Sequence, residues 1–276
     1  MQLMKTLIVV PARYGSTRFP GKPLADIAGH SMLERVTARA RAAANALGKA
    51  SFVVATDDER ITDHCDALNL PFVMTDPEIA SGSDRALAAA MAFADDVDFV
   101  VNLQGDAPFT PVDYLTRVVE ALREDESADV ATPCVRLDWE RLDSLREAKK
   151  ISPFSGTTCA IASDGYALWF SKNILPAIRK EKELRETSAL SPVYRHVGLY
   201  GFRTSALRRY TTLPASHYEE IEGLEQLRLL ENGMRIKCVK VEASPVSTSG
   251  IDTREDLERV HKLIKEHGDP DREYFQ

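Results

Sequence analysis

The sequence predicts an α/β protein, an open and mostly parallel sheet flanked by helices. Three observations carry that expectation. The apolar runs of the first half are near-continuous rather than alternating, as in strands buried on both faces. Each run is followed by an amphipathic stretch of helical period. This strand–helix rhythm repeats through the first half of the chain and only then breaks down.

The elements follow in order. Residues 6–12 (TLIVVPA) read as the first strand, followed by a polar Gly/Pro-rich loop and a helix over about 31–47. Residues 51–56 form a second strand with a helix over 59–68, 71–75 a third with a helix over 84–93, and 98–103 a fourth. Thr110-Pro111-Val112-Asp113 opens the next helix, with threonine as N-cap, proline at the first position and an acid in the first turn. After 129–135 the pattern changes. Segments 156–162, 166–171 and 194–203 read as strands without full helices between them, and 179–185 as a charged loop or short helix. Helices return over 218–232 and 253–267, around a strand at 235–241. The expectation is one domain, 1–276, with a mixed β insertion or edge extension at about 133–205 and a frayed tail, HGDPDREYFQ.

Composition narrows the function classes. With 35 basic and 42 acidic residues the formal net charge is −7, which disfavours a nucleic-acid backbone as partner but leaves room for a small anionic substrate. Hydrophobic residues at 44% exclude a disordered chain, and only 14 Gly and 14 Pro exclude a collagen-like one. No window approaches the roughly 20 apolar residues of a membrane span. The opening MQLMKTLIVVPA is too short an apolar run for a secretion signal. Cys65, Cys134, Cys159 and Cys238 show no C-x-x-C pair or zinc-type spacing, so a reduced, cytoplasmic protein is expected.

Ligands of an open parallel sheet collect at the carboxyl ends of its strands. The first such loop, PARYGSTRFPGKPL (11–24), places Arg13, Arg18 and Lys22 among glycines and hydroxyls. That suits phosphate, because exposed N–H groups and cations neutralise it; a basic surface loop is the plainer reading. Neither G-x-G-x-x-G nor G-x-x-x-x-G-K-[ST] is present, which disfavours a dehydrogenase or a P-loop NTPase. Asp106 is either a turn residue or a Mg²⁺ ligand, and Asp252 either part of a helix cap beside Thr253-x-x-Asp256 or a second ligand. Ser81-Gly82-Ser83-Asp84-Arg85 is either a serine cap with a surface ion pair or a set of groups that reads a base. Asp57 reads first as a turn or cap residue. His196 and Tyr200, four apart, face one side of a strand with Gly198 between them; a core histidine is the bland alternative.

The loop 11–24 closely resembles the opening signature of the 3-deoxy-manno-octulosonate cytidylyltransferases, which make CMP-Kdo for bacterial lipopolysaccharide; CMP-sialic acid synthetases share a looser form. Collinear matches follow at VATDDERI (54–61), SGSDR (81–85), NLQGDAP (102–108), YRHVGLYGF (194–202), LEQLRLLENG (224–233) and GIDTREDLERV (250–260). The resemblance implies a single nucleotidyltransferase domain, Rossmann-like in layout and homodimeric through the mixed region. It implies attack of a sugar anomeric hydroxyl on the CTP α-phosphate with release of pyrophosphate.

It also assigns roles. Arg13, Lys22 and Asp106 would be catalytic. Pro11, Ala12, Arg13, Arg18, Lys22, Ser81, Gly82, Ser83, Arg85, Gln104 and Asp106 would bind the nucleotide. Gln104, Arg179, His196, Tyr200, Glu225 and Gln226 would bind the sugar acid, and Asp106 and Asp252 would hold Mg²⁺. Two departures stand on the acceptor side: Ala107 replaces the family's usual glutamate, and Ser155–Ala160 lacks its asparagine and lysine. They suggest Kdo or a close relative as acceptor. A sialic-type acceptor and a non-catalytic nucleotide-binding protein are the alternatives.

Overall fold

The computed structural model describes residues 4–15, 19–79, 81–93, 96–244 and 250–275. The first half builds as the sequence predicts. Strand β1 (Thr6–Pro11) leads through a 3₁₀ turn (Lys22–Leu24) and a small ribbon, β2 (Asp26–Ile27) and β3 (His30–Ser31), into helix α1 (Met32–Leu47). Then come β4 (Ala50–Thr56), α2 (Glu59–Ala67), β5 (Phe72–Met74), α3 (Gly82–Phe93), β6 (Phe99–Leu103) and α4 (Val112–Glu124). Strands β5, β4, β1 and β6 lie side by side and parallel. The two-residue period of β1 sorts its side chains between layers: Ile8 and Val10 pack with α1 and α4, Leu7 and Val9 with α3.

The second half is mixed. It comprises β7 (Val130–Asp138), α5 (Trp139–Ile151), β8 (Thr158–Ile161), β9 (Ala167–Ser171), α6 (Glu181–Thr187), β10 (Leu190–His196) and β11 (Leu199–Arg203). Helices α7 (Thr204–Thr211), α8 (His217–Glu222) and α9 (Glu225–Glu231), strand β12 (Ile236–Val241) and helix α10 (Arg254–His267) complete it. Strands β10 and β11 run on as one bent strand antiparallel to β7, interrupted at Val197–Gly198. The β11 half pairs with β6, and the β10 half with β8. This bent strand is the seam between the parallel half of the sheet and its mixed extension.

Several expectations change. Thr110 does not cap α4: its hydroxyl donates to the Ala107 carbonyl, and Pro111 holds the cap position. Helix α5 was not anticipated, since its buried face is only Trp139, Leu142 and Leu145 in an otherwise charged stretch. The helix expected over 218–232 is two, broken at Gly223, which takes a left-handed conformation at φ +62° that a β-carbon would strain.

The tail is tied down rather than frayed. Asp269 and Asp271 bind the guanidinium of Arg35 at 2.7 and 3.0 Å, and Arg35 is wholly buried on α1. Arg39, one turn on, bonds Asp271 and donates to the carbonyls of Pro108 (2.6 Å) and Thr110 (3.1 Å). Phe275 stacks on His30. Among the described residues no helix is long and apolar enough to cross a membrane.

Candidate active site

The centre of the site is the turn after β6. A β-carbon on Gly105 would sit 2.3 Å from the Pro11 carbonyl oxygen, so only glycine lets this turn lie against the end of β1. Asp106 follows. Its carbonyl accepts from the N–H of Ile251 at 2.8 Å, which lays residues 250–252 alongside it. Thr253, not Asp252, caps α10, in a reciprocal box with Asp256. That leaves the Asp252 carboxylate directed at Lys22. The Lys22 ammonium lies 2.8 Å from Asp106 Oδ2 and 3.2 Å from Asp252 Oδ1. Two acids 146 positions apart in the chain thus meet on one cation, with their side chains 30% and 41% exposed. Lys22 begins the 3₁₀ turn behind Gly21, whose N–H bonds the Tyr14 carbonyl at 2.9 Å to close the loop.

Around this centre the nucleotide-side residues divide. Pro11 ends β1, and buried Ala12 bonds the Ala55 carbonyl at 2.9 Å. Arg13 is half exposed at the loop and pairs with Asp57 at 3.1 Å. Arg85 departs from its expected role as an added cation for the nucleotide. It is 1% exposed, bonded to Asp57 at 2.8 Å, to Thr75 and to the Ile79 carbonyl. A fully enclosed guanidinium that spends its donors this way braces the loops. Asp57 is therefore the link between Arg13 and Arg85, while Asp58 caps α2. Ser81 takes the capping option: it accepts from the Asp84 N–H and donates to the Asp84 carboxylate at 2.6 Å. Arg18 lies outside the described residues.

A cavity of about 460 Å³ opens from Asp106 and Asp252. Gln104, His196, Tyr200 and Gln226 line it, as expected, and so do three cations that sequence reasoning missed: Arg141, Lys172 and Arg195. A smaller cavity of about 210 Å³ shares Gln104, Tyr200 and Gln226, and adds Gly82, Ser83, Asn102 and Glu225. Glu225 accepts from Ser83 at 3.2 Å and Tyr210 at 3.3 Å. The Gln226 amide nitrogen and the Asn102 amide oxygen are buried without a protein partner, a costly state that a ligand would relieve. Arg179 does not join them. It is exposed and is not among the residues that line either cavity. The signal for Lys172 and Arg195 was their position at the inner ends of β9 and β10, legible only once those strands pair through β8.

His196 and Tyr200 do share a face despite the interruption between them. Their rings are 5.4 Å apart, and His196 Nε2 bonds the Thr132 hydroxyl at 2.8 Å. Burial, with Lys172 nearby, pulls the imidazole down to about 3, so it works as a neutral hydrogen-bonding group. Burial also lowers Lys172 and Arg195 and raises Tyr200. The lining at Gly156 and Lys172 is held by Lys149, whose ammonium donates to the carbonyls of Ser155 (2.5 Å), Gly156 (3.0 Å) and Lys172 (2.5 Å).

The histidine makes acid stability testable. An unfolded histidine titrates near 6.5, so between about 3 and 6.5 the unfolded chain binds the extra proton and stability falls as pH drops. Urea titrations at about pH 7 and pH 4.5 should show a smaller acid-induced loss in His196→Gln than in the parent. Equal losses would place the acid sensitivity elsewhere.

Sheet, loops and converging acids together have the layout of a nucleotidyltransferase-type enzyme. The chain belongs to the cytidylyltransferase family, whose model, described as "Cytidylyltransferase", matches residues 7–236. It is 44% identical over 266 residues to the 3-deoxy-manno-octulosonate cytidylyltransferase of Maricaulis maris, covering 96% of this chain and 99% of that one. It is 39% identical to the enzyme of the same name from Idiomarina loihiensis, over 94% and 98% of the two chains. Among solved structures it is similar to a CMP:2-keto-3-deoxy-manno-octonic acid synthetase complexed with CTP, at TM-score 0.81 and 35% identity, over 95% and 99% of the two chains. A 4-diphosphocytidyl-2C-methyl-D-erythritol synthase from Anaerococcus prevotii, at TM-score 0.58 and 12% identity, shares the fold alone.

Proposed function

We propose that this chain transfers CMP from CTP to the anomeric hydroxyl of 3-deoxy-manno-octulosonate or a close relative of that sugar acid. The hydroxyl oxygen attacks the α-phosphorus, the bond to the pyrophosphate oxygen breaks, and the hydroxyl proton leaves to solvent. One observation carries the proposal: Asp106 and Asp252 meet on Lys22 and line a cavity that Arg141, Lys172 and Arg195 line as well. Such a transfer needs positioning and charge neutralisation above all. Arg13 and Lys22 would bind the triphosphate.

The two carboxylates fit Mg²⁺, which takes one or two hard carboxylate ligands beside substrate oxygens. Asp106 and Asp252 would hold it. When bound, the ion would neutralise charge on the triphosphate. Lys22 meanwhile offsets the repulsion between the two acids. Gln104 and the start of α3 at Gly82 and Ser83 border the smaller cavity, which suits the base or ribose. Lys172 and Arg195, rather than Arg179, are the cations for the acceptor carboxylate, with His196, Tyr200, Glu225 and Gln226 for its hydroxyls. The exposed apolar side chains Ile151, Phe154 and Leu168 on the mixed region support a homodimer formed through it.

Pyrophosphate release from CTP, Mg²⁺ and a panel of 3-deoxy-ulosonic acids tests the reaction, and no release with any of them would refute it. In the same assay Lys172→Ala should raise the acceptor KM by roughly tenfold or more, the value of a lost charge-assisted hydrogen bond, while the CTP KM changes little. A rise confined to CTP would move Lys172 to the nucleotide side. The panel also addresses the second reading, an acceptor other than Kdo itself. It is favoured by Ala107 and by the cavity wall at Gly156 and Thr157, where the chain departs from the family pattern. A clear preference for Kdo would remove it.

A further inference from the structure

The spacing of the cysteines along the chain offers no metal motif, yet three of them meet in the fold. Cys134 on β7, Cys159 on β8 and Cys238 on β12 place their sulfurs within 4.8 Å of one another, and those of Cys134 and Cys159 are 3.2 Å apart. All three are buried, 5% exposed at most, in the layer that also holds Val130, Phe170, Phe202 and Ile236. Among the described residues theirs is the one cluster of three or more such ligating side chains.

Charge and coordination number decide what could bind there. Three thiolates around a divalent ion leave a net negative charge in an apolar core, and zinc asks for a fourth ligand. The cluster has none to give: His196 is the strand partner of Cys134, but its Nε2 is engaged by Thr132. A trivalent ion is neutral with three thiolates, and one with a lone pair takes a pyramidal three-coordinate form that needs no further ligand. Soft thiolates favour soft ions.

We propose that Cys134, Cys159 and Cys238 form a binding site for a trivalent, thiol-seeking ion of the arsenite or antimonite class. Binding is ligand exchange without oxidation or reduction. Arsenous acid, As(OH)₃, and three thiols give As(SR)₃ and three waters, each thiol proton leaving with a hydroxide.

The test loads the reduced full-length protein with arsenite, removes the excess, and measures bound arsenic and free thiols after unfolding. One arsenic per chain is expected, with three of the four thiols protected and Cys65 reactive. Cys134→Ala, Cys159→Ala and Cys238→Ala should each weaken binding by at least about tenfold. Cys65→Ala, on helix α2 rather than on the sheet, should load fully. No retained arsenic, protection that includes Cys65, or zinc held in preference to arsenite would each overturn the assignment. The thiol count on the parent protein decides the matter even if a core variant fails to fold, and it does not depend on the transfer reaction.

Discussion

Asp106→Asn and Asp252→Asn will each lower turnover by about three orders of magnitude or more, while circular dichroism and the melting midpoint stay near the parent's. The size follows from removing a full charge at the point where charge must be neutralised in the transition state. The fold survives because both side chains are partly exposed, and because Lys22 keeps one carboxylate partner in either variant. A near-normal rate in either variant would remove that residue from the centre of the site. Loss of rate together with loss of fold would show that the pair serves the structure instead.

The second large effect lies some distance from the chemistry. Asp271→Ala should destabilise the protein by about 3–5 kcal/mol, the cost of stranding buried charge, and lower the melting midpoint by on the order of 10 °C. Asp271 is wholly buried between Arg35 and Arg39. Its loss leaves Arg35 with Asp269 and the Ile27 carbonyl, and Arg39 with the Pro108 and Thr110 carbonyls and the Tyr274 ring but no carboxylate. Urea unfolding measures the difference, and a loss below about 1 kcal/mol would show that water replaces the carboxylate without penalty. Activity should suffer too, because Arg39 ties the tail to Pro108 and Thr110, just past Asp106.

That tail shows where sequence reasoning stops. HGDPDREYFQ has the composition of a loose end, and nothing local announces that two of its acids reach arginines more than 230 positions away. The parallel half was legible because each strand is a continuous apolar run and each helix carries its own period. In α5 only three side chains are buried, too few to rise above a charged background. The site divides in the same way. For Asp106, Lys22, Gln104, His196 and Tyr200 the residue types alone left plainer readings open, and it was the resemblance to the cytidylyltransferases that assigned them to a site. Arg85 does not fill the role expected of it, because charge alone does not tell a cation facing a ligand from one enclosed in protein. Lys172 and Arg195 went unnoticed because their convergence depends on how β9, β8 and β10 pair.

The interruption at Val197–Gly198 carries an evolutionary corollary. Upstream of it the backbone presents His196; downstream it presents Tyr200 and then joins β6, which leads to Gln104 and Asp106. Adding or deleting one residue there would turn every later side chain of the segment to the opposite side, taking Tyr200 out of the cavity. Descendants of this protein are thus free to exchange side chains around the acceptor in 155–157, and so to drift toward new sugars. The length of that short connection is not theirs to change.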